Sequence, residues 1–381
     1  MNLGLVEQIA DAVLYEGYIL YPYRPSSVKN QQRFNFGALY PETYSAAGGG
    51  TDACMMQTEC LVSGTERTVL DVKVRFLHLL AREVGVPIAD SGIRSAENGD
   101  AETQPALSAS HFRRVESLET GDRVFQAWQE ACERDVSLSG IKLSELASQP
   151  EPQQVRFAFP SREDIEPLRE PDGRIVGALV RKQQAIEGAV ELRIVDCRLP
   201  VDETQRPFSE IGEPQRAHVF KVTVRILNLT PLENAGAKSR DEALMRAFAS
   251  THTILSLPGE GEFVSLLDPP EAFREAVSSC RNTGTWPVLA GREGERNVML
   301  SSPIILYDYP QIAPESAGDL FDGTEIDEIL TLRIMTLTDE EKREMRGADE
   351  RARQILERTE TLPVEQLMKL HGAVKKAKVR G

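Results

Sequence analysis

Residues 68–80 read Thr-Val-Leu-Asp-Val-Lys-Val-Arg-Phe-Leu-His-Leu-Leu, and their alternation decides the class of fold. In the first part of this stretch, apolar residues alternate with polar ones: Leu70, Val72, Val74 and Phe76 alternate with Asp71, Lys73 and Arg75. Successive side chains of a strand point to opposite faces, so the pattern predicts a half-buried strand. Residues 57–62 form a second strand candidate. The Ser-Gly-Thr-Glu turn at 63–66 predicts that these two strands form a hairpin.

Similar signals continue along the chain. A Thr-Gly-Asp turn predicts a hairpin between 112–119 and 124–136, with a helix over 127–134 as the alternative for its second arm. The Pro-Gly-Glu-Gly turn at 258–261 predicts a third hairpin. Further strands are predicted at 155–159, 174–180, 189–199, 217–229, 297–307 and 328–337. Helical spacing or capping patterns predict helices at 1–14, 239–250, 269–280, 338–356 and 363–370.

These elements predict an α+β protein. We expect mainly antiparallel β-sheet, folded as a sandwich or an open barrel, with peripheral helices and a C-terminal helical segment. Residues 1–148 would hold an aromatic-rich N-terminal segment, β-hairpins and a mobile loop near 86–110. Residues 149–337 would form a central β-rich domain with helices near 240–280. Residues 338–381 would carry the C-terminal helices and a basic tail.

Charge and composition limit the classes of partner. The 381 residues carry 44 Lys and Arg against 59 Asp and Glu, a formal charge of −15. Phosphate backbones and anionic lipid surfaces attract basic faces, so we expect no nucleic-acid partner. No apolar run reaches the length of about 20 residues that a membrane-spanning helix needs, so we expect no membrane insertion. We predict a cytoplasmic protein.

The five cysteines are Cys54, Cys60, Cys132, Cys197 and Cys280. Their odd number and scattered spacing predict free thiols. Cys54 and Cys60 are the closest pair. Their five-residue spacing is wider than that of common zinc or redox motifs, and a metal or redox role for them is the alternative.

An acidic cluster at 315–328 places six carboxylates within fourteen residues. Hard cations such as calcium and magnesium bind oxygen ligands, so Asp319, Asp322 and Glu325 are candidate metal ligands. The spacing differs from that of the common calcium loop. The alternative is a solvated acidic loop.

A second constellation combines tyrosines and cations at 21–33. Its candidate residues for binding a partner or an anion are Tyr21, Tyr23, Arg24, Lys29 and Arg33. Arginine guanidinium groups and tyrosine side chains suit the binding of an anion or of an acidic partner surface. The alternative is that the rings pack against the sheet and the cations pair with nearby carboxylates.

Two stretches carry a resemblance to a known family. Residues 10–18, continuing into Tyr-Pro-Tyr-Arg-Pro-Ser at 21–26, resemble the start of an uncharacterised bacterial family encoded beside NiFe-hydrogenases of the high-affinity uptake type. Residues 301–338 resemble a later part of the same family, around 308–315 and 319–328. The family has no established activity or catalytic residues that could be assigned here.

The resemblance implies an accessory or assembly protein that acts by binding a protein partner. That partner would be a hydrogenase subunit or a maturation protein. Two alternatives follow from the residues themselves. One is a divalent-cation-dependent hydrolase or transferase that uses the cluster at 315–328. The other is a structural subunit of a larger complex.

Overall fold

The computed structural model describes residues 3–16, 36–88, 107–197, 218–311, 334–348 and 350–361. It places the alternating stretch in a long central strand, β2, which covers Val69–Pro87. Val72, Val74 and Phe76 point into the core and are almost fully buried. The predicted half-buried strand is therefore confirmed.

Two antiparallel sheets make up most of the described chain, in the strand orders β13-β1-β11-β10-β7 and β14-β15-β12-β2-β9-β8. Strands β3 and β6 also pair with β2, and β4 pairs with β5. The strands are β1 (Met55–Gly64), β2, β3 (Phe112–Val115), β4 (Ser117–Thr120), β5 (Arg123–Gln126), β6 (Trp128–Lys142), β7 (Gln153–Phe159), β8 (Arg162–Arg169), β9 (Ile175–Gln183), β10 (Ile186–Asp196), β11 (His218–Asn228), β12 (Ala249–Ser256), β13 (Glu262–Phe263), β14 (Trp286–Leu289) and β15 (Val298–Ser302). Neither of these sheets closes into a barrel within the described residues.

The main core lies between the two sheets. Cys60 and Val62 from β1 and Val222 and Val224 from β11 meet Val74 of β2 there. Four aromatic rings, Phe76, Phe157, Phe159 and Phe248, pack at one end with centroid separations of 4.6–6.1 Å. The predicted α+β class with mainly antiparallel sheet is confirmed. Strands from both sides of residue 148 pair in each sheet, so the core is shared across that position.

Two of the predicted hairpins are wrong. β1 pairs with β11 and β13, whereas β2 belongs to the other sheet, so the turn at 63–66 links the two layers. The turn at 258–261 likewise carries the chain from β12 in one sheet to β13 in the other. A short Gly-rich turn reverses the chain equally well within a sheet and between sheets. The local sequence therefore marks the reversal without deciding the partner.

The remaining hairpin, predicted between 112–119 and 124–136, is confirmed only at its turn, as the β4–β5 pair around Gly121, because β3 and β6 pair with β2 instead. The helical alternative for 127–134 is wrong, because residues 128–134 belong to β6 and pair with β2 from Phe76 to Arg82. Tertiary pairing with a long central strand overrides the weak local preference for a helix.

The helices are short and peripheral: α1 (Leu3–Glu16), α2 (Glu42–Ala47), α3 (Leu143–Ala147), α4 (Arg240–Leu244), α5 (Arg274–Ser278), α6 (Asp339–Gly347) and α7 (Glu350–Glu360). The predicted capping boxes are present, since Ser239 accepts from the amide of Glu242 and Thr338 from that of Glu341. Helix α4 is shorter than the predicted 239–250, because β12 begins at Ala249.

The C-terminal prediction needs two corrections. The first helix ends at Gly347, with Ala348 as its C-cap, so the single helix expected over 338–356 is two helices. Ile334 and Met335 lie in a helical turn, which contradicts the strand predicted at 328–337 for the described part of that range. The predicted helix at 363–370, the basic tail and residues 89–106 of the predicted loop lie outside the described residues.

Candidate protein-binding surface

The candidate residues from the sequence lie outside the described chain. This holds for Tyr21, Tyr23, Arg24, Lys29 and Arg33, and equally for Asp319, Asp322 and Glu325. Their roles, including calcium or magnesium binding, stay predictions. The described residues nearest to these two stretches are Phe36 and Gln311.

Gly37 and Pro303 lie in close contact next to β12. The amide of Ser250 donates to the carbonyl of Phe36, and that of Thr251 donates to the carbonyl of Gly37, at 3.0 and 3.1 Å. Gly37 has a φ of +55°, and a Cβ there would lie 2.6 Å from the Cβ of Pro303. Only glycine suits both the backbone angle and the close approach. The segment 303–309 therefore starts beside Gly37.

Asp308 holds the segment 303–309 at the edge of the large sheet. Its Oδ1 accepts from the amide of Leu289 at 2.8 Å, and the amide of Tyr309 donates to the carbonyl of Leu289 at 2.7 Å. Its Oδ2 accepts from the Ser265 hydroxyl at 2.5 Å. One carboxylate thus links β14, the loop after β13 and the segment 303–309.

These bonds also block the outer edge of β14. Leu289 directs its amide and carbonyl away from β15, and both are already used by Asp308 and Tyr309. Pro287 lies two residues earlier, on the same edge, and has no amide hydrogen to offer. A further strand therefore finds no free ladder at this edge.

Four large hydrophobic side chains of β14, the loop after β13 and the segment 303–309 remain in contact with solvent. The exposed fractions are 84% for Tyr307, 70% for Ile305, 55% for Leu267 and 44% for Trp286. We call Leu267, Trp286, Ile305 and Tyr307 the apolar surface. Leu267 belongs to the loop anchored by Ser265, and Trp286 pairs with Ser302 at the start of the segment. Exposed apolar residues on a well-fixed backbone are typical of binding surfaces.

A network of ion pairs holds α1 against β2 and β6. The Arg75 guanidinium, 6% exposed, pairs with Asp11 at 2.6 Å, Glu133 at 3.1 Å and Asp135 at 3.2 Å. Burial opposes the charged form, but the bond to Asp11 and the surrounding carboxylates raise the pKa of Arg75 overall. Every charge in this network has a partner, so we interpret it as structural support for the helix that leads into residue 17.

Two buried histidines lie on or beside the central strand. Burial lowers the pKa of His78 to about 4, with Arg134 adding to the effect. Burial also lowers the pKa of His252 to about 4, although its bond to the Ser250 carbonyl acts in the opposite direction. Both rings are therefore neutral at pH 7.

All five cysteines are free, as predicted. An extended strand rises about 3.3 Å per residue, so β1 separates the positions of Cys54 and Cys60 by about 20 Å and rules out a shared metal or disulfide. The nearer neighbour of Cys60 is Cys280, and burial raises the pKa of both thiols, that of Cys280 to about 11. Within the described ranges, no three His, Cys, Asp or Glu side chains are arranged to hold a metal ion.

The chain matches no family model and no curated protein. The resemblance to the hydrogenase-associated family therefore stays a prediction, as do the cation-dependent enzyme and the structural subunit. None of the described helices is long and apolar enough to cross a membrane.

Proposed function

We propose that this chain is an accessory or assembly protein that binds a NiFe-hydrogenase subunit or a maturation protein. The observation that supports binding is the apolar surface, four large hydrophobic side chains exposed on a backbone anchored by Asp308. The identity of the partner rests on the family resemblance of residues 10–26 and 301–338.

The chemistry of the surface favours a protein partner. Tyrosine and tryptophan supply large contact areas with few rotatable bonds, and they dominate the energetics of many interfaces. Ile305 and Tyr307 shortly precede Asp308, whose carboxylate fixes the backbone. Little backbone entropy is therefore lost when a partner covers these two side chains. The segment 303–309 starts at Pro303, beside Gly37, which lies four positions after the candidate residues at 21–33.

Net charge adds a condition on the partner. At −15 the chain repels other acidic proteins at long range, so a basic contact face would associate faster. We expect association to slow as ionic strength rises, because screening weakens this attraction.

Affinity capture from the producing cells tests the proposal. The tagged wild-type chain should recover a hydrogenase subunit or maturation protein. The double variant Ile305→Asp with Tyr307→Asp should recover at least about tenfold less, because each carboxylate would have to be desolvated in the interface. Both side chains are mostly exposed, so folding should be preserved.

The matched control is Ile88→Asp. This isoleucine is also exposed, at 43%, but it follows the far end of β2. It should leave capture unchanged. Recovery of no hydrogenase protein by the wild-type chain, or equal recovery by both variants, would refute the proposal.

A further inference from the structure

Strand β7 ends the five-stranded sheet and pairs with β10 alone among the described strands. Its sequence, Gln-Gln-Val-Arg-Phe-Ala-Phe, contains one charged residue and no proline or glycine. A strand of this kind at a sheet edge offers a ladder to another extended chain unless something blocks it.

The pairing of β10 shows which backbone groups of β7 are free. Glu187 of β10 directs both its amide and its carbonyl towards Leu229 and Thr230, on the side away from β7. Its partner on β7, Ala158, must therefore direct its own groups outwards. Along an antiparallel strand, residues whose backbone groups point outwards alternate with residues bonded to the neighbouring strand. Gln154, Arg156 and Ala158 therefore present three amides and three carbonyls on the side of β7 away from β10.

Both end strands in the order of the large sheet, β14 and β8, are protected, and this contrast makes β7 distinct. β14 is closed by Pro287 and by the bonds of Leu289 to Asp308 and Tyr309. β8 stands at the opposite end of the large sheet. Its sequence is Arg-Glu-Asp-Ile-Glu-Pro-Leu-Arg, in which five charges and a proline discourage pairing. β7 has no such device apart from Arg156.

The inner face of β7 would also gain from an added strand. Val155, Phe157 and Phe159 pack against the main core but stay only partly buried, and no described strand continues the sheet beyond them. Apolar side chains from an incoming strand would lie beside these three and complete their burial.

The charge at Arg156 selects the kind of occupant. Its guanidinium donates only to Gln154, at 3.4 Å, and pairs with no carboxylate in the described chain. If two copies paired antiparallel through β7 with full overlap, Arg156 of one copy would face Arg156 of the other, and this repulsion is unfavourable. A different protein with an acidic residue at that position would instead gain an ion pair.

We propose that β7 binds an extended segment of a partner protein by strand addition. The segment alternates apolar and polar residues, and a carboxylate faces Arg156. This inference builds on the proposed function, since it assumes a protein partner, and it assigns a second contact on that partner away from the apolar surface.

The test uses a synthetic nine-residue peptide, Thr-Val-Thr-Val-Glu-Val-Thr-Val-Thr, with the full-length chain. Binding is followed by amide hydrogen exchange at single-residue resolution. We expect new protection at Gln154, Arg156 and Ala158, while Val155 and Phe157 are already protected by β10. A peptide methylated on the amide of its central residue should bind roughly tenfold more weakly, because it loses one ladder bond and clashes with the edge.

Two variants make the test specific. Arg156→Glu should weaken the glutamate peptide about tenfold and favour the same peptide with a central lysine. Ala158→Pro removes an outward amide without touching the β10 ladder, so it should abolish binding while protection of Val155 and Phe157 persists. Binding without the alternating protection would overturn the proposal. So would a dimer of the free chain that Ala158→Pro dissociates, because the occupant would then be a second copy.

Failure of this inference can be told apart from failure of the proposed function. If Ala158→Pro still captures the hydrogenase partner and the apolar-surface variant does not, strand addition is refuted and the proposed function stands. If the peptide protects β7 but no hydrogenase protein is recovered, the strand site stands and the proposed partner is refuted.

Discussion

At the scale of single residues, Gly347 shows how one missing side chain seats an entire helical unit. It lies at the end of α6, and a Cβ there would overlap the backbone carbonyl of Val124 on β5. Just beyond it, the Arg82 guanidinium, 2% exposed, donates to the carbonyl of Ala348. A cation at a helix C-terminus also favours the helix dipole. The C-terminal helices are therefore fixed to the sheet by two residues far apart in sequence.

We predict that Gly347→Ala lowers the free energy of unfolding by about 1–3 kcal/mol, because the added methyl group forces α6 away from β5. Urea denaturation measures the loss, and hydrogen exchange should show the largest increase in α6. Gly236→Ala is the control, since a Cβ there would meet only Ala47, at 3.9 Å, and stability should hardly change. Equal effects of the two substitutions would contradict the packing of α6 on β5.

At the scale of elements, short polar contacts decide how strands and helices meet. Asn228, 1% exposed, ends β11 and donates to the carbonyls of Leu39 at 2.7 Å and Arg246 at 2.8 Å. Its side-chain oxygen accepts from the amide of Thr230 at 3.0 Å. One amide side chain therefore ties β11 to the chain before α2 and to the end of α4.

Asn228→Ala should destabilise the protein by roughly 2–4 kcal/mol, since the carbonyls of Leu39 and Arg246 and the amide of Thr230 each lose a hydrogen bond. Thermal and urea unfolding of the variant give the magnitude. Gln153→Ala, which removes an exposed amide from β7, should cost far less. A small effect at Asn228 would mean that water or backbone rearrangement replaces its three bonds.

At the scale of the whole molecule, the two buried histidines couple stability to pH. Their pKa is about 4 when folded and near 6.5 when unfolded, so the unfolded state binds more protons between these values. Stability should therefore be constant near pH 7.5 and fall as the pH drops below 6.5.

The loss should be about 1 kcal/mol for each histidine at pH 5.5 and about 3 kcal/mol for each below pH 4. Urea unfolding at pH 7.5, 6.5 and 5.5 measures it above the range where most carboxylates titrate. His78→Gln and His252→Gln should each flatten the slope, whatever their effect at pH 7.5. An unchanged slope in both variants would show that other groups cause the acid sensitivity.

The sequence predicted local properties well, for physical reasons that single residues make plain. Alternation at 70–76 marks a strand because it depends only on the backbone period, and Ser239 and Thr338 mark helix starts because a cap acts within four residues. The turns after β1 and β12 were placed correctly, yet their strands were assigned to one sheet instead of two. Partner choice depends on distant strands, which a local window does not contain.

What the sequence by itself determined is the α+β class, the positions of most strands, the free thiols and the acidic balance. The tertiary structure decided that the reversals cross between layers and that Gly37 meets Pro303. It also showed that Asp308 closes one edge, that no described strand pairs with the outer side of β7, and that four large apolar side chains of β14 and two loops are exposed. Such features arise from contacts between residues up to hundreds of positions apart. They depend on how the sheets stack, which no alternation or spacing along the chain can encode.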